Sequence, residues 1–195
     1  INAYCASTTA GSLTVPNSLA HVRNIKDKDI ARCAAGGIVI ASNIIWHAGD
    51  PDWGVQYMLQ CIPKDIYENG YPMKSLLDAG IVVSSSTDSP AGTTLGTVPN
   101  IIGVAVNGIC PEFPDAAPLN PKELLTVSEA LGCLTMGGAI SLGLEKERGS
   151  IEVGKYADFV VLDKDVLEQE KTNKKDIFNT KVASTWFEGR KVYPK

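Results

Sequence analysis

Pro72-Met73-Lys74-Ser75-Leu76-Leu77-Asp78-Ala79-Gly80 runs without a break into Ile81-Val82-Val83-Ser84-Ser85-Ser86, and Thr87-Asp88-Ser89-Pro90 follows at once. Proline at the head and glycine at the tail mark a short helix: proline's missing N–H is no loss in a first turn, and glycine accepts the backbone reversal that ends one. The next residues form an apolar, β-branched run of the kind found in a strand covered on both faces. A helix leading directly into a covered strand is the repeating unit of a parallel α/β sheet.

The same order stands upstream. Residues 15–41 read as strand, loop, helix and strand. Ile25, Ile30, Cys33 and Ala34 fall near helical spacing, Gly36-Gly37 ends the helix, and Ile38-Val39-Ile40-Ala41 forms a second buried strand. Between the two strands that precede and follow it, residues 42–70 are rich in aromatics, Pro and Gly. That is long for a connection and is expected to be a functional loop or to contain short helices. Downstream, residues 101–106 are apolar and read as helical. Thr126-Val127-Ser128-Glu129 is a capping box, opening a helix through Ala130, Leu131 and Leu134. From Gly149 the pattern changes. Phe159-Val160-Val161-Leu162 and the run from Ala183 to Tyr193 suggest antiparallel strands, with residues 174–178 the only helical segment expected between them.

Composition narrows the function. The 195 residues carry 22 acidic and 18 basic side chains, a net charge of −4 with a pI near 5.2 and no Lys/Arg cluster, which speaks against a nucleic-acid surface. No apolar run approaches the roughly 18–20 residues that span a bilayer, so no membrane partner is expected. The five cysteines, at 5, 33, 61, 110 and 133, include no CxxC pair and are odd in number. They read as reduced thiols of a cytoplasmic protein. The opening Ile1-Asn2-Ala3-Tyr4 has neither a basic leader nor an initiating Met, and suggests a processed product or a fragment.

Asp88 is the foremost chemical candidate, because a carboxylate just past a parallel strand lies where α/β proteins build their sites. Its bland alternative is an Asx-turn ahead of Ser-Pro. His21 follows Val15-Pro16-Asn17-Ser18-Leu19-Ala20, which reads as another strand, and is either a strand-end ligand or a lone histidine. His47 is a general acid, a substrate contact or an ordinary loop residue, while Trp46, Trp53 and Tyr57 either line a pocket or hold their own loop together. There is no GxSxG, no GxGxxG after a strand and no P-loop; Gly137-Gly138 lies within or after a helix, without a phosphate cradle. No cysteine has the basic neighbours of an activated thiolate. A catalytic zinc site takes about three protein ligands, commonly two or three of them histidine. This chain holds two histidines, with neither HxH nor HExxH spacing, so His21, His47 and Asp88 do not make a convincing centre by themselves.

Several stretches taken together resemble the amidohydrolase superfamily, in particular its YtcJ-like branch (amidohydrolase 3, or exoenzyme regulatory protein type). The tail carries most of the likeness: Leu125-Thr126-Val127-Ser128-Glu129-Ala130-Leu131, Gly149-Ser150-Ile151-Glu152-Val153-Gly154-Lys155-Tyr156-Ala157-Asp158-Phe159-Val160-Val161-Leu162-Asp163, and Thr185-Trp186-Phe187-Glu188-Gly189-Arg190-Lys191-Val192-Tyr193. Ser86-Thr87-Asp88-Ser89-Pro90 is similar to the strand-eight Gly-Ser-Asp-x-Pro motif, with the first two residues changed. Ser18-Leu19-Ala20-His21-Val22 is similar to the strand-six Ile-Glu-His-Ala motif, with Ala20 in place of the glutamate.

The resemblance implies an α/β fold: residues 1–148 as strands six to eight of a metal-dependent hydrolase TIM barrel, and residues 149–195 as C-terminal strands of a small β-sandwich. It implies hydrolysis of C–N bonds in amide or cyclic amide small molecules with a divalent metal, zinc by family habit. Asp88 would orient and deprotonate a water and also serve as a metal ligand, and His21 would bind the metal or the attacked oxygen. Trp46 and His47 would be substrate contacts. A whole barrel needs about 250 residues, so the chain is expected to be a C-terminal piece, inactive alone and covered by its missing N-terminal half or by another copy. The alternative is a non-catalytic regulatory or binding protein that keeps the scaffold.

Overall fold

A computed structural model of the chain describes Ile1, residues 15–88 and residues 96–194, with the side chains of 53–55 outside that description. Two three-stranded sheets organise these residues. The first is parallel, in the order β1 (Ser18–Ala20), β2 (Val39–Ser42), β3 (Val83–Ser85), so strands consecutive in the chain are neighbours in space. Register pairs Leu19 with Ile40 and Ile40 with Val83, and carries Ser42 to Ser85 at the far end.

Each crossover contains helix, as a parallel connection requires. Between β1 and β2 lies α1 (Asp27–Ala35), which buries Ile30 and Cys33 and ends at Gly36. Residues 42–70 contain short helical pieces: a 3₁₀ turn at Ile44–Trp46, a π-helix at Pro51–Met58, an α-turn at Leu59–Cys61 and α2 (Lys64–Glu68). The expected helix before β3 is α3 (Met73–Asp78), which buries Met73 and Leu76. Its first turn is tied down by Glu123, whose carboxylate accepts from the Ser75 N–H at 2.8 Å and the Ser75 hydroxyl at 2.7 Å.

Beyond β3, α4 (Val98–Asn107) is mostly apolar, and every residue from Ile101 to Asn107 is buried. Thr97 caps its start and Gly108, at φ 66°, its end. The capping box forms as read: Thr126 Oγ1 accepts from the Glu129 N–H, and the Glu129 carboxylate accepts from the Thr126 N–H at 2.8 Å. The helix it opens is α5 (Val127–Leu134), followed after Thr135 by α6 (Met136–Ser141). Gly137 lets α6 lie directly on β3, since a Cβ there would stand 2.1 Å from the Val83 carbonyl oxygen.

The second sheet is antiparallel, in the order β4 (Phe159–Leu162), β5 (Val182–Phe187), β6 (Arg190–Tyr193). One helix here has no counterpart in the sequence pattern, α7 (Val166–Thr172), whose cap is Asp165 accepting from the N–H groups of Leu167 and Glu168. Its apolar stripe is too narrow to register as a period: the helix buries only Val166 and Gln169. Val166 and Ile177, from the following 3₁₀ segment Lys174–Asn179, join the same hydrophobic core as Ile40, Ile102 and Val127. Among the described residues no helix is long and apolar enough to cross a membrane.

Candidate functional site

In a parallel sheet every strand ends on the same side, so residues far apart in sequence collect at one mouth. β1 ends at Ala20, and the ladder continues one step as the His21 N–H donates to the Ala41 carbonyl at 2.9 Å. The chain then turns sharply: the Val22 N–H donates to the Ala20 carbonyl at 2.7 Å, with φ of 60° at His21 and 47° at Val22. A β-branched residue in the left-handed region is strained, and such strain persists where surrounding structure imposes it. The His21 side chain is exposed at this mouth.

Two strands away, β3 gives way to Ser86, Thr87 and Asp88. Asn43 Nδ2 donates to Ser86 Oγ at 2.7 Å, tying the segment to the end of β2. Asp88 has φ 56° and is half-buried, and its Oδ2 accepts from Trp46 Nε1 at 3.2 Å. Two of the expected site residues, Trp46 and Asp88, are thus in direct contact. Ser89 and Pro90 of the motif lie outside the described residues.

His47 occupies a different environment. It is fully buried, with its ring stacked on Tyr71 at 5.9 Å and 27°. Burial pulls its pKa down to about 4, with the backbone of Leu119 and Asn120 acting weakly the other way, and neither ring nitrogen makes a hydrogen bond of full geometry among the described residues. This residue, expected as a substrate contact, is sealed from solvent against Tyr71. Tyr71 also bears on the two charged groups nearby. Burial raises its phenol's pKa, Arg23 lowers it and Asp88 raises it further. Arg23 lies over Tyr67 at 4.9 Å and Tyr71 at 5.4 Å. Arg23 and Tyr71, which carry no motif in the sequence, are brought together beside His47 by these contacts.

Of the other loop aromatics, Tyr57 is exposed and lines an open cavity of about 600 Å³ with Asp50, Asp52, Glu112 and Phe113. The side chain of Trp53 lies outside the described residues. Imidazole and carboxylate are donors that zinc accepts. His21 and Asp88 are of those types, and no group of three His, Cys, Asp or Glu converges among the described residues. Cys33, Cys110 and Cys133 are buried, and burial pushes the Cys133 thiol up to about 12, far from thiolate chemistry.

Comparison with known proteins bears on this arrangement. The chain is 41% identical over 98 residues to the N-substituted formamide deformylase of Arthrobacter pascens, a match covering 50% of this chain and 17% of that protein. It is 34% identical over 94 residues to the imidazolonepropionase of Bdellovibrio bacteriovorus, covering 48% of this chain and 19% of that protein. Each match thus spans under a fifth of the relative's length. A crystal structure of an adenosine deaminase from Xanthomonas campestris with bound zinc superposes with a TM-score of 0.59 at 22% identity, covering 89% of this chain and 36% of that one. The sequence pattern of the amidohydrolase family matches residues 1–193, and this chain belongs to that family.

Proposed function

We propose that the polypeptide carrying this chain is a metal-dependent hydrolase of C–N bonds in small amide or cyclic amide substrates. The observation that carries this is Asp88 at the end of the third consecutive parallel strand, held by Trp46 Nε1, with His21 at the end of the first. In this reading residues 1–148 are strands six to eight of a (β/α)₈ barrel with their helices, and residues 149–195 are strands of a β-sandwich beside it. The relatives' names, a deformylase and an imidazolonepropionase, support C–N bond chemistry.

Trp46 engages Asp88 Oδ2, which fixes the carboxylate plane and leaves Oδ1 to accept a proton from the attacking water. His21, exposed on its strained turn, would hold the metal or the attacked oxygen through its imidazole. What a bound divalent metal, zinc by family habit, supplies is a water acidified toward neutrality and a polarised carbonyl. The indole face of Trp46 borders the substrate, and His47 supports Tyr71 from behind. The further metal donors come from the protein's N-terminal part or from another copy, so this chain alone is inactive. A cytoplasmic location accords with the reduced cysteines, and neither nucleic acid nor membrane is a partner.

The test uses the full-length protein. Asp88→Asn should lower turnover by about a thousandfold while circular dichroism and melting stay unchanged; a variant as active as its parent would remove Asp88 from the chemistry. A second reading, a non-catalytic scaffold, draws on Ala20 standing where the family motif has glutamate. Full-length protein that purifies without metal and gains no activity with zinc supports that reading.

A further inference from the structure

We propose that Asn43 is a positioning residue for Asp88: its amide and its carbonyl hold the two arms that fix the Asp88 carboxylate. The inference rests on the hydrolase reading above and deepens it by naming what aims the proposed base. Asn43 stands one residue past β2 and is only 6% exposed, so its amide has little water to pair with. One arm is side chain: Nδ2 donates to Ser86 Oγ at 2.7 Å, two residues ahead of Asp88. The other is backbone: the Trp46 N–H donates to the Asn43 carbonyl at 2.9 Å, and the Trp46 indole N–H donates to Asp88 Oδ2 at 3.2 Å. A path that leaves Asn43 through Ser86, Asp88 and Trp46 therefore returns to Asn43 as a closed ring.

Asn43 immediately precedes the 3₁₀ turn Ile44–Trp46, where an asparagine side chain ordinarily caps the turn by accepting from one of its first N–H groups. It makes no such cap here. The amide reaches instead to a residue 43 positions along the chain, from the end of β2 to the end of β3. The turn is held from below by Ile44 and Ile45, both buried in the same core as Ile102, which gives Asn43 and Trp46 a fixed base. The segment they hold needs one. The ladder from β3 reaches Ser86, whose N–H donates to the Ser42 carbonyl at 3.1 Å, and Asp88 lies beyond it at φ 56°. A non-glycine residue in the left-handed region is uncommon and persists where surrounding structure favours it. Asn43 and Trp46 grip the two ends of Ser86–Asp88. A general base works only within hydrogen-bond reach of the proton it takes, so a carboxylate swinging free on that segment would lose rate and keep substrate affinity.

The plainer role for Asn43 is that of a buried amide finding a partner, whose removal would lower stability and leave the carboxylate aimed. Full-length protein separates the two. Asn43→Ala cuts the bond from its buried end and Ser86→Ala from its exposed end, so one folded variant suffices. Each should lower kcat on formanilide, a simple amide whose hydrolysis releases aniline, by about tenfold with KM within about twofold. The double variant should lose no more than either single, because both remove one bond. Labelling with 5-fluorotryptophan adds a readout that needs no turnover. The Trp46 fluorine resonance, assigned by its disappearance in Trp46→Phe, should move in Ser86→Ala toward its position in Asp88→Ala, where the indole has lost its acceptor. An unmoved resonance in Ser86→Ala overturns the proposal. Losses that add in the double variant, a loss confined to KM, or a lowered melting temperature with kcat unchanged overturn it too. If the parent protein is inert toward formanilide, the fluorine resonance decides. An Asp88→Asn protein as active as its parent sinks the hydrolase reading, and the resonance then decides by itself whether Asn43 holds the Trp46–Asp88 pair.

Discussion

The two sheets have the same number of strands and opposite fates. In the parallel sheet Val39, Ile40 and Val83 are almost wholly inaccessible, packed beneath helices contributed by the crossovers. In the antiparallel sheet Val160, Val161 and Phe187 remain between 39% and 52% exposed, and all four residues of β6 are exposed. Connectivity accounts for the difference. A parallel connection must travel the length of the sheet and brings a helix with it, so each strand arrives with its own cover. The hairpin β5–β6 brings none, and its register shifts between Thr185 and Trp186. That sheet's attachment runs through Leu162 and through Val166 and Ile177 of the β4–β5 connection, which reach the core, while Arg148 pairs with Asp158 and Glu188 and lies 4.3 Å from the Tyr156 ring and 5.0 Å from Phe187. The proposed chemistry falls on the covered sheet, whose strands bring their ends to one side.

That contrast can be tested in the full-length protein, beginning with the largest effect. Asp88→Asn should remove about a thousandfold of turnover. Asp163→Asn, at an equivalent post-strand position on the antiparallel sheet, should leave it within about twofold, because Asp163 accepts only a backbone N–H, that of Lys181. Comparable losses from both would erase the functional distinction between the sheets. Next, Ile40→Ala should cost about 3 kcal/mol in chemical denaturation and Val161→Ala less than about 1 kcal/mol. If Val161→Ala proves equally costly, the antiparallel sheet is covered in the complete protein.

Acid should act through the parallel side. His47 takes a proton near 6.5 when unfolded and only at about 4 when folded, so the unfolded state gains protons first. Stability is therefore flat above about pH 6.5 and falls as pH drops from there toward 4, by about 3 kcal/mol in all. His47→Phe should flatten that part of the profile, and a slope that persists would place the acid sensitivity elsewhere. The smallest effect expected is at the capping box, where Glu129→Ala should lower stability by about 1 kcal/mol. Part of that loss belongs to Lys74, whose ammonium sits 2.6 Å from the Glu129 carboxylate.

Local signals carried much of this architecture. Proline before α3, glycine after α1 and the Thr126–Glu129 box act through one or two turns of backbone, so their meaning survives without a partner. The alternation of helix and covered strand reveals a parallel sheet for the same reason, as does Asp88 standing just past its strand. α7 was invisible because a helix that buries only Val166 and Gln169 leaves no periodic trace. The burial of His47 and the contacts of Arg23 leave no local signal for a related reason. Whether a side chain is sealed behind Tyr71 or laid across it depends on what the next crossover brings over it.

The amino-acid sequence by itself determined the order of elements, their ends and the kind of sheet they make, because each of those is decided by contacts a few residues apart. Only the tertiary structure decided the pairing of Trp46 with Asp88, 42 positions apart in the chain, and the burial of His47. It also decided the placing of Arg23 against Tyr67 and Tyr71. Each of these joins segments that meet only when parallel strands bring their ends to one mouth.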